Sequence, residues 1–429
     1  MSDDERFDEE RRIEAQQEGL EEELPEPVGG GDYAPSVAAR VSAFQRAGGA
    51  VIPLVTTLFA LLMAMIVVAA TGHNPFTAFK GIFNGTGLNW LFPWVQGQAR
   101  TDAAFNLQQT LILTSSLVLA GFAVSFAFKC GMFNIGGNGQ YIMGGLVATA
   151  IATHWVGTNG TLHIFLAIVL ATAAGAAWGG IAGFLKATVG VHEVISTIML
   201  NFVASYFAQG LVGRGGQLQN SIDKSNPISS DIASNTHLPV FWGDPILQGL
   251  HVGFFIAVAA PFVFWLILYR TTLGYEVRAT GFNPEAARYG GISVRKSYFL
   301  AMAISGGFAG IAGAIDLLGW EFHLGVLDIQ ITSIGFIGIA VALLGRNSAV
   351  GVPLAALFFG ALTQGTSTRN PAIQDVFDPR LAGNLSTIIQ GLVLLFVGMD
   401  LLFIWLWQLR KRARRASTPA AQQPQGATQ

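Results

Sequence analysis

Apolar and polar positions alternate along this chain in long blocks, not at the short periods of a soluble fold. Ten blocks are nearly free of charge: residues 50–71, 107–128, 138–156, 162–185, 194–213, 250–269, 297–318, 329–345, 350–367 and 386–407, the seventh including Asp316 and the tenth Asp400. A helix needs about 20 mostly apolar residues to cross the hydrocarbon of a bilayer, so the pattern predicts ten spans. No charge occurs from Cys130 to Leu185, and Gly157-Thr158-Asn159-Gly160 supplies the turn that divides this run into two crossings. The expected fold class is all-α, a polytopic membrane protein of about ten transmembrane helices. Five spans precede the polar stretch 214–249 and five follow it. Five is odd, so two such halves would be inverted, as transporter repeats often are, yet residues 50–213 and 250–407 show no convincing match to each other.

Composition agrees with a lipid environment. Of the 429 residues 52% are hydrophobic and 12% charged, whereas a soluble domain has about a quarter of its residues charged. The single cysteine, Cys130, excludes an intrachain disulfide, and no Cys/His cluster has metal-ligand spacing. Residues 1–49 begin with Asp, Glu, Arg and Gln and continue through Pro25, Pro27 and three glycines, a segment too polar to bury a core and read as an acidic disordered tail. A cleavable signal would place its apolar run directly after a basic start, so none is expected here. With the N-terminus inside, the inner loops and tails carry 18 of the 24 Lys and Arg residues, Arg270, Arg278, Arg288, Arg295 and Lys296 in one loop and Arg410, Lys411, Arg412, Arg414 and Arg415 in the tail 408–429. Positive charge stays on the cytoplasmic side, so both termini are expected there. The membrane domain is then 50–407, with an outer loop at 214–249 and an inner loop at 270–296.

That inner loop contains Asn283-Pro284-Glu285-Ala286-Ala287-Arg288-Tyr289-Gly290. Asn283 suits an N-cap, Pro284 the first helical position, Glu285 the positive helix end, and Gly290 a left-handed exit. The result is a short helix of about 10 Å, fit either to seat in another protein's groove or to rest on headgroups. A second unusual segment, Gly131-Met132-Phe133-Asn134-Ile135-Gly136-Gly137-Asn138-Gly139-Gln140, puts glycines and amides between two apolar spans. Irregular backbone at membrane depth must be buried in protein or line a wet cavity. Asn134, Asn138 and Gln140 are therefore candidates for the substrate path, with close glycine packing at an interfacial turn as the alternative. Asn201 and Gln209, eight residues apart on the fifth span, are candidates of the same kind, with interhelical hydrogen bonding as the alternative. Glu193 is expected to cap its helix. Asp316, Glu321, His323 and Asp328 are expected to form a structural rim at an outer turn. Most tryptophans fall near span ends, where a headgroup belt is expected.

The Asn283–Gly290 segment resembles the cytoplasmic coupling helix of ABC importer permeases. Together with Glu193-Val194-Ile195-Ser196-Thr197-Ile198-Met199-Leu200-Asn201, Arg278-Ala279-Thr280-Gly281, Ile339-Ala340-Val341-Ala342-Leu343-Leu344-Gly345-Arg346 and the Gly131–Gln140 segment, it is similar, in the same order, to the nucleoside-type permeases of the branched-chain amino acid and simple-sugar permease family. The resemblance implies a pore-forming subunit in a bacterial inner membrane, paired with a second permease subunit, two ABC ATPase subunits and an extracytoplasmic substrate-binding protein. It implies no cofactor in this chain, ATP and magnesium being held by the ATPases, and no nucleic-acid partner. Two positions depart from the family pattern: Asn138 and Ile337 stand where acids are usual. No G-x-x-x-x-G-K-[ST] phosphate loop occurs, so the chain is expected to be a transport subunit and not an enzyme. Ribose-like sugars and branched-chain amino acids are the alternative cargoes. An ion-coupled secondary transporter or a channel acting alone is the alternative class, one that would need membrane-depth carboxylates such as Asp316.

Overall fold

A computed structural model describes residues 51–154 and 159–367, together with 384, 387–392 and 395. Both predicted tails and most of the tenth predicted span lie outside the described residues. The described chain is built from helices, with one small hairpin in the long loop.

In chain order the helices are α1 (Val51–Ala70), α2 (Pro75–Gly85), α3 (Gln98–Lys129), α4 (Gly137–His154), α5 (Gly160–Val189) and α6 (Glu193–Val212). After the loop come α7 (Gly253–Arg270), α8 (Thr272–Phe282), α9 (Pro284–Tyr289), α10 (Val294–Asp316), α11 (Val326–Ile331), α12 (Ile334–Leu344) and α13 (Gly351–Gly365). Six helical stretches among these residues are long and apolar enough to cross a membrane: Gln98–Lys129, Gly160–Val189, Glu193–Val212, Gly253–Arg270, Val294–Glu321 and Val326–Leu344.

Three expectations change in detail. The span predicted at 107–128 belongs to a 32-residue helix, about 48 Å long at 1.5 Å per residue, whose polar first turns reach past any hydrocarbon layer. The span predicted at 329–345 is two helices, α11 and α12, separated at Thr332 and Ser333. The helix α2, capped by Asn74 and led by Pro75, was hidden by its length of 11 residues.

The centre of the bundle is α10 packed against α3, α4 and α5. Glycines face one another there. A methyl group added at Gly175 of α5 would overlap the backbone of Gly306 and Gly310 on α10, and one at Gly144 of α4 would overlap Gly310. Small residues let helix backbones approach closely, the arrangement by which membrane helices associate without a hydrophobic driving force. On the other flank of α10, Phe122 and Phe126 of α3 pack with Phe264 of α7 and Phe308, ring centroids 4.6 to 6.5 Å apart. The outer faces of α1 and α7 expose Leu54, Leu58, Leu62, Phe255 and Phe262, as lipid-facing helices do.

The loop between α6 and α7 does not merely link two halves. Its strands β1 (Val240–Trp242) and β2 (Leu250–His251) pair antiparallel. Ser229, Ile232 and Leu238 donate backbone N–H groups to the carbonyls of Leu324, Phe322 and Leu318, so the loop lies across the end of α10. Trp242 packs at a tilt on Trp90, ring centroids 5.2 Å apart, and Arg100 lies over the same Trp90 ring. His251 is buried just ahead of α7, its Nδ1 accepting from the Gly253 N–H.

Candidate functional site: a buried amide knot and an exposed helix

At the bundle end opposite the long loop, α9 is the short helix that the Asn-Pro-Glu sequence specifies. The Asn283 side-chain oxygen accepts from the Glu285 N–H at 2.9 Å and the Ala286 N–H at 3.1 Å, and Pro284 takes the first helical position. Gly290 does not supply the left-handed exit: its φ is −75°, and the left-handed residue is Gly291 at φ +82°. The helix therefore runs one residue further before it turns. Ala287 is buried, while Glu285, Ala286, Arg288 and Tyr289 are exposed, Tyr289 almost completely. A single small residue anchors the helix, and the rest of its surface is free to contact a partner.

The last turn of α8 ties α9 to the bundle. Gly281 lies against the end of α3, where a methyl group would collide with the Lys129 carbonyl oxygen, and Gly131 in turn packs on the Gly281 backbone. Gly131 has φ +76°, a conformation glycine adopts without steric cost.

From Gly131 the chain climbs into a knot of amides. Asn134 donates through Nδ2 to Gln140 Oε1 at 2.9 Å and to Ser305 Oγ of α10 at 2.7 Å. Its Oδ1 accepts from the Gly136 N–H at 2.9 Å and from Gln140 Nε2 at 3.1 Å. Ser305 Oγ in turn donates to the Ala123 carbonyl of α3. Asn201 of α6 accepts from the Gly139 N–H at 2.7 Å and donates to the Ile135 carbonyl at 2.9 Å. Asn134, Gln140 and Asn201 are thus brought together, their amides occupied in holding the irregular segment against α6 and α10. Asn138 sits at the rim of the same group, 7% exposed, with Oδ1 buried and unpartnered among the described residues. Gln209 is elsewhere: half-exposed, it donates to Ser205 Oγ and accepts from Gln330 Nε2 of α11 at 2.9 Å. Ile337 is on α12, whose first turn abuts the first turn of α4 through Gly335 and Gly137, so the two positions that depart from the family pattern lie on adjoining helix starts.

The acids resolve into separate roles. Glu193 is not the cap of α6; His192 Nδ1 accepts from the Val194 N–H at 3.4 Å, and Glu193 pairs with Lys186 of α5 at 2.9 Å. Asp316 stays close to Glu321, which in turn faces Asp328, but at the buried side of that group. It is buried and accepts from Ser116 Oγ, from Tyr141 Oη at 2.7 Å and from Trp320 Nε1 at 3.1 Å. A five-residue π turn, Leu317–Glu321, carries Trp320 back onto it. His323 pairs with Asp231 of the loop at 3.2 Å, and Asp328 caps α11 by accepting from the Gly325 N–H. Ser116, Tyr141, Ser305 and Gln330 were not legible as site residues, since each reads as an ordinary member of a membrane helix.

A bundle of apolar helices closed around hydrogen-bonded amides, with a capped helix standing free at one end, defines a polytopic membrane protein of the permease type. The chain belongs to the family described as branched-chain amino acid transport system / permease component, which matches residues 106–398. It is 33% identical to the guanosine ABC transporter permease protein NupP of Bacillus subtilis over 82% of this chain and 94% of that protein. It is 32% identical to the nucleoside ABC transporter permease protein NupB of Lactococcus lactis over 73% of this chain and 83% of that one. A glucose ABC transporter permease of Haloferax volcanii is 33% identical over 80% of this chain and 86% of its own length. A second permease of each of the first two organisms, NupQ and NupC, also matches, at 27% and 24% identity. No solved structure matches the chain.

Proposed function

We propose that this chain is the pore-forming permease of an ATP-driven ABC importer for nucleosides, working by alternating access. The exposed helix α9 carries the coupling reading. Asn283, Pro284, Glu285, Ala286, Ala287, Arg288 and Gly290 form the handle that partner ATPase subunits move when they bind ATP and magnesium, since this chain has no phosphate loop of its own. That places α9 and both termini in the cytoplasm of a cell whose inner membrane holds the bundle, and the α6–α7 loop outside, where an extracytoplasmic binding protein delivers cargo. The ten-span architecture, with the tenth near 386–407 and two inverted halves, accompanies this reading. The presence of two permeases in each related nucleoside system supports a second, related permease as partner. The segment holding Asn134, Asn138, Gln140 and Asn201, with Gln209 above it, lies along the substrate path.

Purification from the native membrane tests this directly. A P-loop ATPase and a second permease are expected to co-purify, and the assembly in proteoliposomes should take up a purine nucleoside with ATP hydrolysis, in preference to ribose or leucine. Uptake by the isolated chain, driven by an ion gradient, would replace this reading with the ion-coupled one.

A further inference from the structure

The helix α7 carries an exposed stripe, Phe255, Val258, Phe262, Leu266 and Tyr269, at the steps of three and four residues that mark one helix face. It runs about 21 Å at 1.5 Å per residue, from near the loop end toward the end that bears α9, and continues the lipid-facing surface of the bundle. At its foot the chemistry changes. The Arg270 guanidinium lies 4.8 Å from the centre of the Trp265 ring, and the Arg278 guanidinium of α8 lies 4.8 Å from the centre of the Tyr269 ring. Trp265 and Tyr269 are four residues apart, so the two cations are seated on neighbouring rings of one helix. Arg278 Nε donates to the Gly274 carbonyl at 3.3 Å, and its two terminal nitrogens have no bond among the described residues. Neither arginine forms an ion pair there, since the pairs join Lys186 and His192 to Glu193, and His323 to Asp231. Glu276 is the one acid between the two arginines in sequence, and five cations stand against two acids across 270–296. Beside them α8 exposes Tyr275 and Phe282, seven residues apart on one face, aromatic residues of the kind that gather at a headgroup layer.

We propose that Arg270 and Arg278 form a seat for the phosphate of an anionic phospholipid whose acyl chains lie along the α7 stripe. The stripe identifies the occupant as lipid, because chains packed along it bring a headgroup to its foot. The paired charges identify the headgroup. Guanidinium forks bind phosphate oxygens bidentately. A zwitterionic lipid brings an ammonium as well, and no carboxylate among the described residues is paired with either arginine to receive it, so a net negative headgroup is the better match. An acidic protein surface would match the charge but would leave the apolar stripe unexplained. The seat also bears on α9. Gly281, in the last turn of α8, is pressed against the end of α3, and Asn283 follows directly as the cap of α9. A lipid that holds α8 to α7 therefore steadies the stem from which α9 stands. The leaflet and this consequence for coupling rest on the permease reading above, whereas the binding itself does not.

The test uses the complete transporter, this full chain with its partner subunits, stripped of lipid in detergent and offered phosphatidylglycerol or phosphatidylcholine. Native mass spectrometry should show one phosphatidylglycerol per copy of this chain held about tenfold more tightly than phosphatidylcholine, a difference of about 1.4 kcal/mol. Arg270→Gln combined with Arg278→Gln should abolish that site. Arg295→Gln combined with Lys296→Gln, exposed cations at the start of α10, should keep it. No preference in the parent, or a preference undiminished in the Arg270→Gln, Arg278→Gln variant, would overturn the proposal. A second measurement needs no variant: phosphatidylglycerol with a diazirine in its acyl chain should label α7 around Leu266 in the parent, and labelling confined to other helices would overturn the seat. In vesicles of phosphatidylcholine, added phosphatidylglycerol should raise ATP-driven uptake severalfold in the parent and not in the double glutamine variant. Lipid binding in a transporter that takes up no nucleoside would uphold the seat and sink the cargo reading instead. Loss of an ATPase subunit, and not of lipid, from the double glutamine variant would overturn the seat and make the patch a protein contact.

Discussion

Gly281 and Gly131 meet backbone to backbone, a methyl group on Gly131 falling 3.3 Å from both the Cα and the carbonyl oxygen of Gly281. Gly281 ends α8 just before the Asn283 cap, and Gly131 opens the segment that leads to Asn134. A displacement of α9 therefore reaches the amide knot through rigid main chain, with no flexible side chain between. Gly281→Ala should lower nucleoside uptake relative to ATP hydrolysis in the assembled transporter. Gly144→Ala, an equal steric insult at the bundle centre, should lower both together, through a packing cost of about 1–3 kcal/mol. An unchanged ratio of uptake to hydrolysis in Gly281→Ala would refute the mechanical link.

Reversing charge on the handle tests α9 alone. Glu285 is exposed in the first turn of α9, where an acid favours the helix start by about 0.3–1 kcal/mol. Glu285→Arg is expected to insert normally, measured by membrane fractionation, and to abolish uptake by weakening ATPase docking. Full uptake would count against docking through this surface.

Asn134 is the knot's central group, making four hydrogen bonds. Asn134→Leu leaves Gln140 and the Gly136 N–H without partners in a buried setting, each at a cost of about 1–3 kcal/mol. Thermal unfolding in detergent should show a clear fall in midpoint, whereas Gln209→Leu, at the protein surface, should leave the midpoint nearly unchanged.

Asp316 separates a structural acid from an ion relay. Three donors converge on it, so Asp316→Asn keeps shape but turns one acceptor into a donor facing donors. Reduced thermal stability with ATP-driven uptake still independent of the proton gradient is the expected result. Uptake that depended on the gradient in the parent and lost that dependence in Asp316→Asn would restore the ion-coupled alternative.

Burial holds the His251 imidazole well below its usual range, at about 4. Its Nδ1 accepts from Gly253 N–H, a bond that protonation of that nitrogen removes. The neutral form is favoured only in the folded loop, so its stabilisation is complete above about pH 6.5, the ordinary histidine value, and is lost as pH falls from there through about 4. The protein's melting temperature should drop over that interval, and His251→Asn should flatten the drop. An identical pH profile in the variant would show that another group is responsible.

Much of this structure was legible from charge spacing alone, because a bilayer imposes one length on every crossing element. α4, α5, α6 and α7 begin and end within a few residues of their apolar blocks, and the Asn283 cap is written locally in its own sequence. What was hidden depends on partners distant in the chain. Nothing near Ser305 announces Asn134, and Asp316 finds Ser116 and Tyr141 only after α3, α4 and α10 have packed. The division of the predicted span 329–345 was hidden because Thr332-Ser333 breaks a helix without glycine or proline. Gly290 misled because two adjacent glycines offer two equally good exits.

Along much of the seams joining α4, α5 and α10, glycines press backbone directly on backbone, with few side chains between that could change rotamer during a transport cycle. Backbone pressed on backbone has one snug arrangement and no graded series of looser ones. These three helices should therefore travel as a single body, and whatever opens and shuts around cargo has to happen at their margins.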